Sequence, residues 1–196
     1  LCDELEKGRE YFIIVTTPGG LYRYNIDDIV TVKGFFNKTP MIEFVQKGLG
    51  ATSLAGEKLY ESHVNEAMAR VMEKENVRLE FFCAVAKPLE GPRYTFLVEF
   101  SGPQPADKDT ARILMSIEEA LRRQNREYDY VRQAQLLDGP VMKILKPGSF
   151  EDYRARKTAK SAAGEGQFKA PELTADPDFE NNFAIEKIVN FPGRKI

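Results

Sequence analysis

Hydrophobic and polar positions divide the chain near residue 55 into two regimes. From residue 10 to 47, β-branched and aromatic residues come in short runs separated by turn signals. "EYFIIVTT" stops at Pro18-Gly19-Gly20, and "LYRY" follows. "DIVTVKGFF" then leads through "NKTP" into "PMIEFVQK". Such runs, bounded by Pro, Gly and Asn, read as strands of a small β-rich subdomain. "GLGATSLAGEKL" (48–59) reads as a flexible connection containing one short strand.

Beyond it the period changes. Val64, Ala67, Met68, Val71 and Met72 recur at i, i+3, i+4, i+7 and i+8, one face of a helix packed into a core. "VRLEFFCAVAKPLEG" and "RYTFLVEFSG" read as two strands joined by a Pro/Gly turn. A second helix starts near Asp107, with Ile113, Leu114, Ile117, Ala120 and Leu121 as its apolar face. "VMKILKPG" is a further strand, and "SFEDYRARKTAKSAAG" a third helix, with Ser149 as its N-cap and Gly164 as its stop. The order predicts an α+β fold: a β-rich subdomain over 1–55, then a compact α+β domain over 56–196 with a small sheet covered by helices. The tail after Pro171 has no clear period, and no internal repeat is seen.

Composition narrows the function classes. A content of 42% hydrophobic and 30% charged residues indicates a packed fold rather than disorder. A net charge of −2 gives no general attraction to nucleic acid or to membranes. No apolar run is long enough to span a bilayer. Two cysteines and one histidine supply neither a disulfide framework nor a zinc set, so no metal site is expected and a cytoplasmic setting is. The chain opens on Leu1 and in mid-pattern, which reads as a fragment lacking its N-terminal part.

Three constellations carry candidate chemistry. Tyr22, Arg23 and the pair Asp27-Asp28 cluster at a strand-turn-strand junction. The acids either cap the turn or accept two hydrogen bonds from a vicinal diol, such as a ribose. "SLAGEKLYESHV" places small residues between the two regimes, where a hinge would lie, with Glu57-Lys58 read as a solvated pair. Lys169 stands in the loop "GEGQFKAPEL", where a compact charge could reach a phosphate or simply face solvent. The preceding Arg154, Arg156, Lys157 and Lys160 read as a solvated helix face. His63 reads as structural or exposed, and Cys83 as buried and inert.

The order of "GGLYRYNIDDI", "FVQKGLGATSLAGEKLYESHV" and "GQFKAPEL" resembles the C-terminal third of the auxin-responsive acyl-acid amido synthetase family. The likeness is to its bacterial branch, within the adenylate-forming superfamily of acyl-CoA synthetases. It covers roughly residues 10–173. The resemblance implies a ligase that joins a carboxylic acid to ATP, with Mg2+, and then passes the acyl group to an amino acid or other amine. It implies that Asp28 holds the ribose hydroxyls, with Tyr22 and Arg23 beside it, and that Lys47 contacts the nucleotide sugar. Ser53 to Gly56 would form the hinge of a rotating C-terminal domain, and Lys169 would bridge the carboxylate and the α-phosphate during adenylation. Asp27 replaces a common glycine, Gln46-Lys47 stands where a basic pair or Gly-Arg is usual, and Glu172 where a basic residue is frequent. The phosphate loop of the family falls upstream, so residues 1–196 alone are expected to be inactive and to bind ATP weakly at most. The other readings are a non-catalytic binding module that keeps the fold, and a thioester-forming acyl-CoA ligase.

Overall fold

The computed structural model describes residues 4–47, 51–89, 91–159, 168 and 170–192. The chain divides into two compact units, Leu1–Ala51 and Thr52–Ile196.

Unit 1 is an antiparallel meander of β1 (Glu10–Val15), β2 (Tyr24–Phe36) and β3 (Thr39–Lys47). The expected strand "LYRY" is instead a turn up to Arg23. Thr17 N–H donates to the Leu21 carbonyl at 2.9 Å, and Gly20 sits at φ 103°, a left-handed backbone that suits glycine. Arg23 follows at φ 46°, with its N–H on Thr16 Oγ1 at 3.0 Å. Val30 and Val32 are buried, while Phe12, Ile14, Phe36 and Phe44 stand at the surface.

The two-residue strand β4 (Ala51–Thr52) falls at the boundary, and in unit 2 its partner β5 (Leu59–Tyr60) leads into α1 (Glu61–Glu75). Next come β6 (Leu79–Lys87), β7 (Arg93–Phe100), α2 (Asp107–Gln124), α3 (Arg126–Gln133), β8 (Val141–Leu145) and α4 (Ser149–Thr158). A tail adds β9 (Leu173–Thr174), a 3-10 turn (Phe179–Asn182) and β10 (Ile185–Asn190). Among the described residues the sheet runs β10-β8-β7-β6-β9, with β7–β8 and β6–β9 parallel and the other neighbours antiparallel.

Both faces of this sheet are covered, which is why its central strands are nearly continuous apolar runs. Ala84, Phe96, Val98, Met142 and Ile144 face the buried stripe of α1 and α2, where Val64, Met68, Leu114, Ile117 and Leu121 sit. The alternate positions Phe81, Cys83, Val85, Leu97 and Leu145 meet Tyr153 of α4 and Phe179 and Phe183 of the tail. The i, i+3, i+4 stripe is therefore core, as its spacing requires.

Sequence reading missed three elements. α3 is short and polar, with only Tyr128 and Val131 buried, and Asn125 caps it by accepting from the Tyr128 N–H at 2.9 Å. The tail strands alternate too weakly to stand out, yet β10 pairs with β8 along Ile185–Asn190. Gly148, at φ 83°, and not Ser149 occupies the N-cap of α4. Ser149 Oγ turns away to accept the Ala184 N–H at 2.9 Å. The place of the cap is taken by Glu99 of β7, whose carboxylate accepts from Gly148 N–H at 2.7 Å and Phe150 N–H at 2.8 Å. Gly164 lies outside the described residues.

Candidate functional site

The acids of the opening motif lie inside β2, beyond the turn. Asn25 pairs with Ile14 and Ile29 with Phe12, so Ile26, Asp27 and Asp28 face the single residue Ile13 of β1. On its other edge, Asp28 is the direct partner of Lys47, the last residue of β3, and the register slips again one step later. Asp28 thus stands where both ladders of β2 are irregular. Bulges of this kind re-aim side chains and concentrate next to functional sites. The register brings the backbone positions of Asp28 and Lys47, nineteen residues apart in sequence, opposite each other on neighbouring strands. Asp28 is half-buried, and Tyr22 and Arg23 are exposed on the preceding turn.

The segment after Thr52 corrects the sequence reading. Glu57 belongs to no solvated pair: it is fully buried. Its carboxylate accepts from Leu54 N–H at 2.9 Å, Ala55 N–H at 2.8 Å and the Tyr94 hydroxyl at 2.6 Å. Tyr94 Oη is also 2.9 Å from Thr52 Oγ1. Burial, and then the Glu57 charge, push the Tyr94 phenol well above its ordinary range, so it stays a donor. Beside this group, Tyr128 donates to Glu118 at 2.6 Å and Glu118 pairs with Arg132 at 2.6 Å. No motif marked Glu57 as buried.

His63 is structural: its Nδ1 lies 3.4 Å from the Tyr60 N–H and 3.2 Å from Asn125 Nδ2. Cys83 is buried, and burial pushes its thiol far up. Arg154, Arg156 and Lys157 are exposed on α4.

Lys169 lies outside the described residues, as does Lys160. Its chain neighbours are placed. The Phe168 ring is 5.8 Å from that of Tyr153, and Ala170 packs on the same cluster. Glu172, the acid at an often basic position, accepts from Asn65 Nδ2 at 2.6 Å, and its carbonyl accepts the Ala84 N–H at 2.9 Å. Among the described residues no three His, Cys, Asp or Glu side chains are grouped to hold a metal ion, and no helix is long and apolar enough to cross a membrane.

Residues 1–47 match the GH3 family central domain, and residues 62–178 the GH3 family C-terminal domain. Indole-3-acetic acid-amido synthetase GH3.3 of Arabidopsis thaliana is 28% identical over 181 residues, which is 88% of this chain and 30% of that protein. Indole-3-acetic acid-amido synthetase GH3.8 of Oryza sativa subsp. indica is 28% identical over 186 residues, with the same coverage. The solved GH3.15 acyl acid amido synthetase superposes with a TM-score of 0.64 at 20% identity, over 98% of this chain and 37% of its own. AtGH3.15 acyl acid amido synthetase in complex with 2,4-DB gives 0.61 at 20% identity, over 98% and 35%. The chain therefore spans 30% of the length of these curated relatives.

Proposed function

The chain belongs to the GH3 family, and on that premise we propose that it is the C-terminal part of an ATP-dependent ligase that couples a carboxylic acid to an amino acid. In the first half-reaction a carboxylate oxygen attacks the α-phosphorus of ATP, and the bond to pyrophosphate breaks. In the second, the amine nitrogen attacks the acyl carbon, the bond to AMP breaks, and the amine gives up a proton as the amide forms. The relatives are named as amido synthetases, which favours an amide over a thioester product. A cytoplasmic setting suits an enzyme fed by ATP.

The observation that carries this reading is the backbone register that sets Asp28 opposite Lys47 where both ladders of β2 are irregular. A carboxylate opposite a basic residue suits a ribose: the acid accepts from the two hydroxyls, and the cation offsets the nearby phosphates. Tyr22 and Arg23, exposed on the adjoining turn, would flank the nucleotide. Mg2+ would accompany ATP, but the described residues offer no three-ligand group, so none is assigned to holding it. Unit 1 carries exposed Phe12, Ile14, Phe36 and Phe44. Strands apolar on both faces suit a sheet covered on both sides, as one closing a larger domain would be. Residues 1–55 would end that nucleotide-binding part, and residues 56–196 would be the domain that turns between half-reactions.

Lys169 would place its ammonium between carboxylate and α-phosphate, where negative charge builds up. Loss of one such group typically costs about 10²- to 10³-fold in rate. In the protein extended upstream to the length of its relatives, Lys169→Ala is expected to cut pyrophosphate release by that order. Amide formation from supplied acyl-adenylate should be spared. Asp28→Ala should raise the apparent KM for ATP as well, since the ribose is held in ground and transition states alike. Equal effects of Lys169→Ala on both half-reactions, or none, would remove its assignment. Absence of acid-dependent pyrophosphate release from the unsubstituted enzyme would remove the ligase reading.

A further inference from the structure

The stretch Thr52–Lys58 is where small residues suggest a pivot, yet its hydrogen bonds tie it to the fold of unit 2. A pivot residue must change φ and ψ freely. Leu54 and Ala55 cannot do so without pulling their N–H groups off Glu57, at 2.9 and 2.8 Å. Glu57 in turn cannot follow them, because Tyr94 of the central strand β7 holds it at 2.6 Å and is itself fully buried. Thr52 is bound to the same hydroxyl. On the far side, Lys58 N–H donates to Glu127 Oε2 at 3.1 Å, and the Lys58 carbonyl accepts from Asn125 Nδ2 at 2.7 Å. A fully buried carboxylate stripped of its donors is far costlier than an exposed one, so each partner fixes the others.

We propose that Glu57 and Tyr94 form a clasp that fuses Thr52–Lys58 to the C-terminal unit, so that this stretch turns with that unit and does not supply the pivot. This rests on the ligase reading above, and it moves the edge of the turning body from residue 56 to Thr52. Both are positioning residues: neither need touch a substrate. They set the point from which the unit swings, and so the accuracy with which it reaches each of its two working positions.

The variants follow from the geometry. Tyr94→Phe keeps the buried ring and removes only the hydroxyl that bridges Glu57 and Thr52. Glu57→Gln keeps the shape, but its amide nitrogen must face one of the N–H groups that the second oxygen now accepts. The first readout is amide hydrogen exchange in the 196-residue chain. Leu54 and Ala55 N–H should exchange slowly, and at least about tenfold faster in either variant, the loss of one charge-assisted bond. Amides of β6 and β7 should keep their protection, which shows that the fold survives. The second readout is the two half-reactions in the upstream-extended enzyme. Both variants should slow turnover in amide formation while leaving the KM for ATP unchanged. Fast exchange of Leu54 and Ala55 in the unsubstituted chain overturns the clasp. Faster exchange in the variants with both half-reactions at their original rates overturns the positioning role, because the contacts would then be structural only. If the unsubstituted extended enzyme releases no pyrophosphate, the ligase reading fails and the positioning role with it; the exchange readout then still decides whether Thr52–Lys58 is clasped.

Discussion

Glu99→Ala tests how α4 is held. Glu99 is buried on β7, and its two oxygens accept from Gly148 N–H and Phe150 N–H at 2.7 and 2.8 Å, at the start of the helix. The first N–H groups of any helix lack partners within it, and a negative charge there meets the positive end of the helix dipole. Each hydrogen bond to a charged group contributes roughly 1.5–3 kcal/mol, so the two together reach about 3–6 kcal/mol. Burying the carboxylate offsets part of this, and removing it relieves that cost, which leaves a net loss of about 3 kcal/mol. For a domain of roughly 150 residues such a loss lowers Tm by about 6–12 °C. Glu99→Gln should show most of the loss, because only one amide oxygen remains to accept. Urea and thermal unfolding of residues 1–196, followed by circular dichroism, measures it, with exchange at Phe150 N–H as the local probe. Ser149→Ala is the control. Its hydroxyl serves Ala184, so that change should loosen the approach to β10 and leave the α4 amides protected. A Glu99→Ala change within about 0.5 kcal/mol of the unsubstituted chain would refute the remote cap; surface substitutions give that much.

Glu180 accepts from Lys87 and Lys143, each at 2.7 Å. Burial pushes its carboxyl up, but the two ammonium groups outweigh this and hold it below its ordinary value of 4.5. A lowered folded value contributes stability that is complete above the unfolded one and is lost as pH falls through the folded one. Stability should therefore drop below about pH 4.5, and Glu180→Gln should flatten that acid limb in urea titrations; an unchanged limb would contradict the assignment. Met142, fully buried in β8 between β7 and β10, should cost about 2–5 kcal/mol on change to Ala, read from the urea midpoint; a cost below about 1 kcal/mol would mean the site collapses freely.

Much of unit 2 was legible in the chain because its signals are local. Val64, Ala67, Met68 and Val71 are buried as their helical spacing requires, and the runs around Phe81–Ala86 and Tyr94–Val98 are strands closed on both faces. The residue types of the opening motif left a turn cap and a diol site both open, and the bulge opposite Ile13 that takes in Asp28, with its match to Lys47, exists only in the register of three strands. α3 escaped because an eight-residue polar helix has too few turns to show a period, and β10 because only Val189 of its alternation is buried. The acids Glu57 and Glu99 escaped for a deeper reason. A carboxylate's burial depends on the donors that meet it, and for each of these acids they include a residue far along the chain, 37 positions away for Glu57 and 49 for Glu99. Local pattern determines which elements form; only folding brings a distant hydroxyl or helix start to a charge and so makes its burial tolerable.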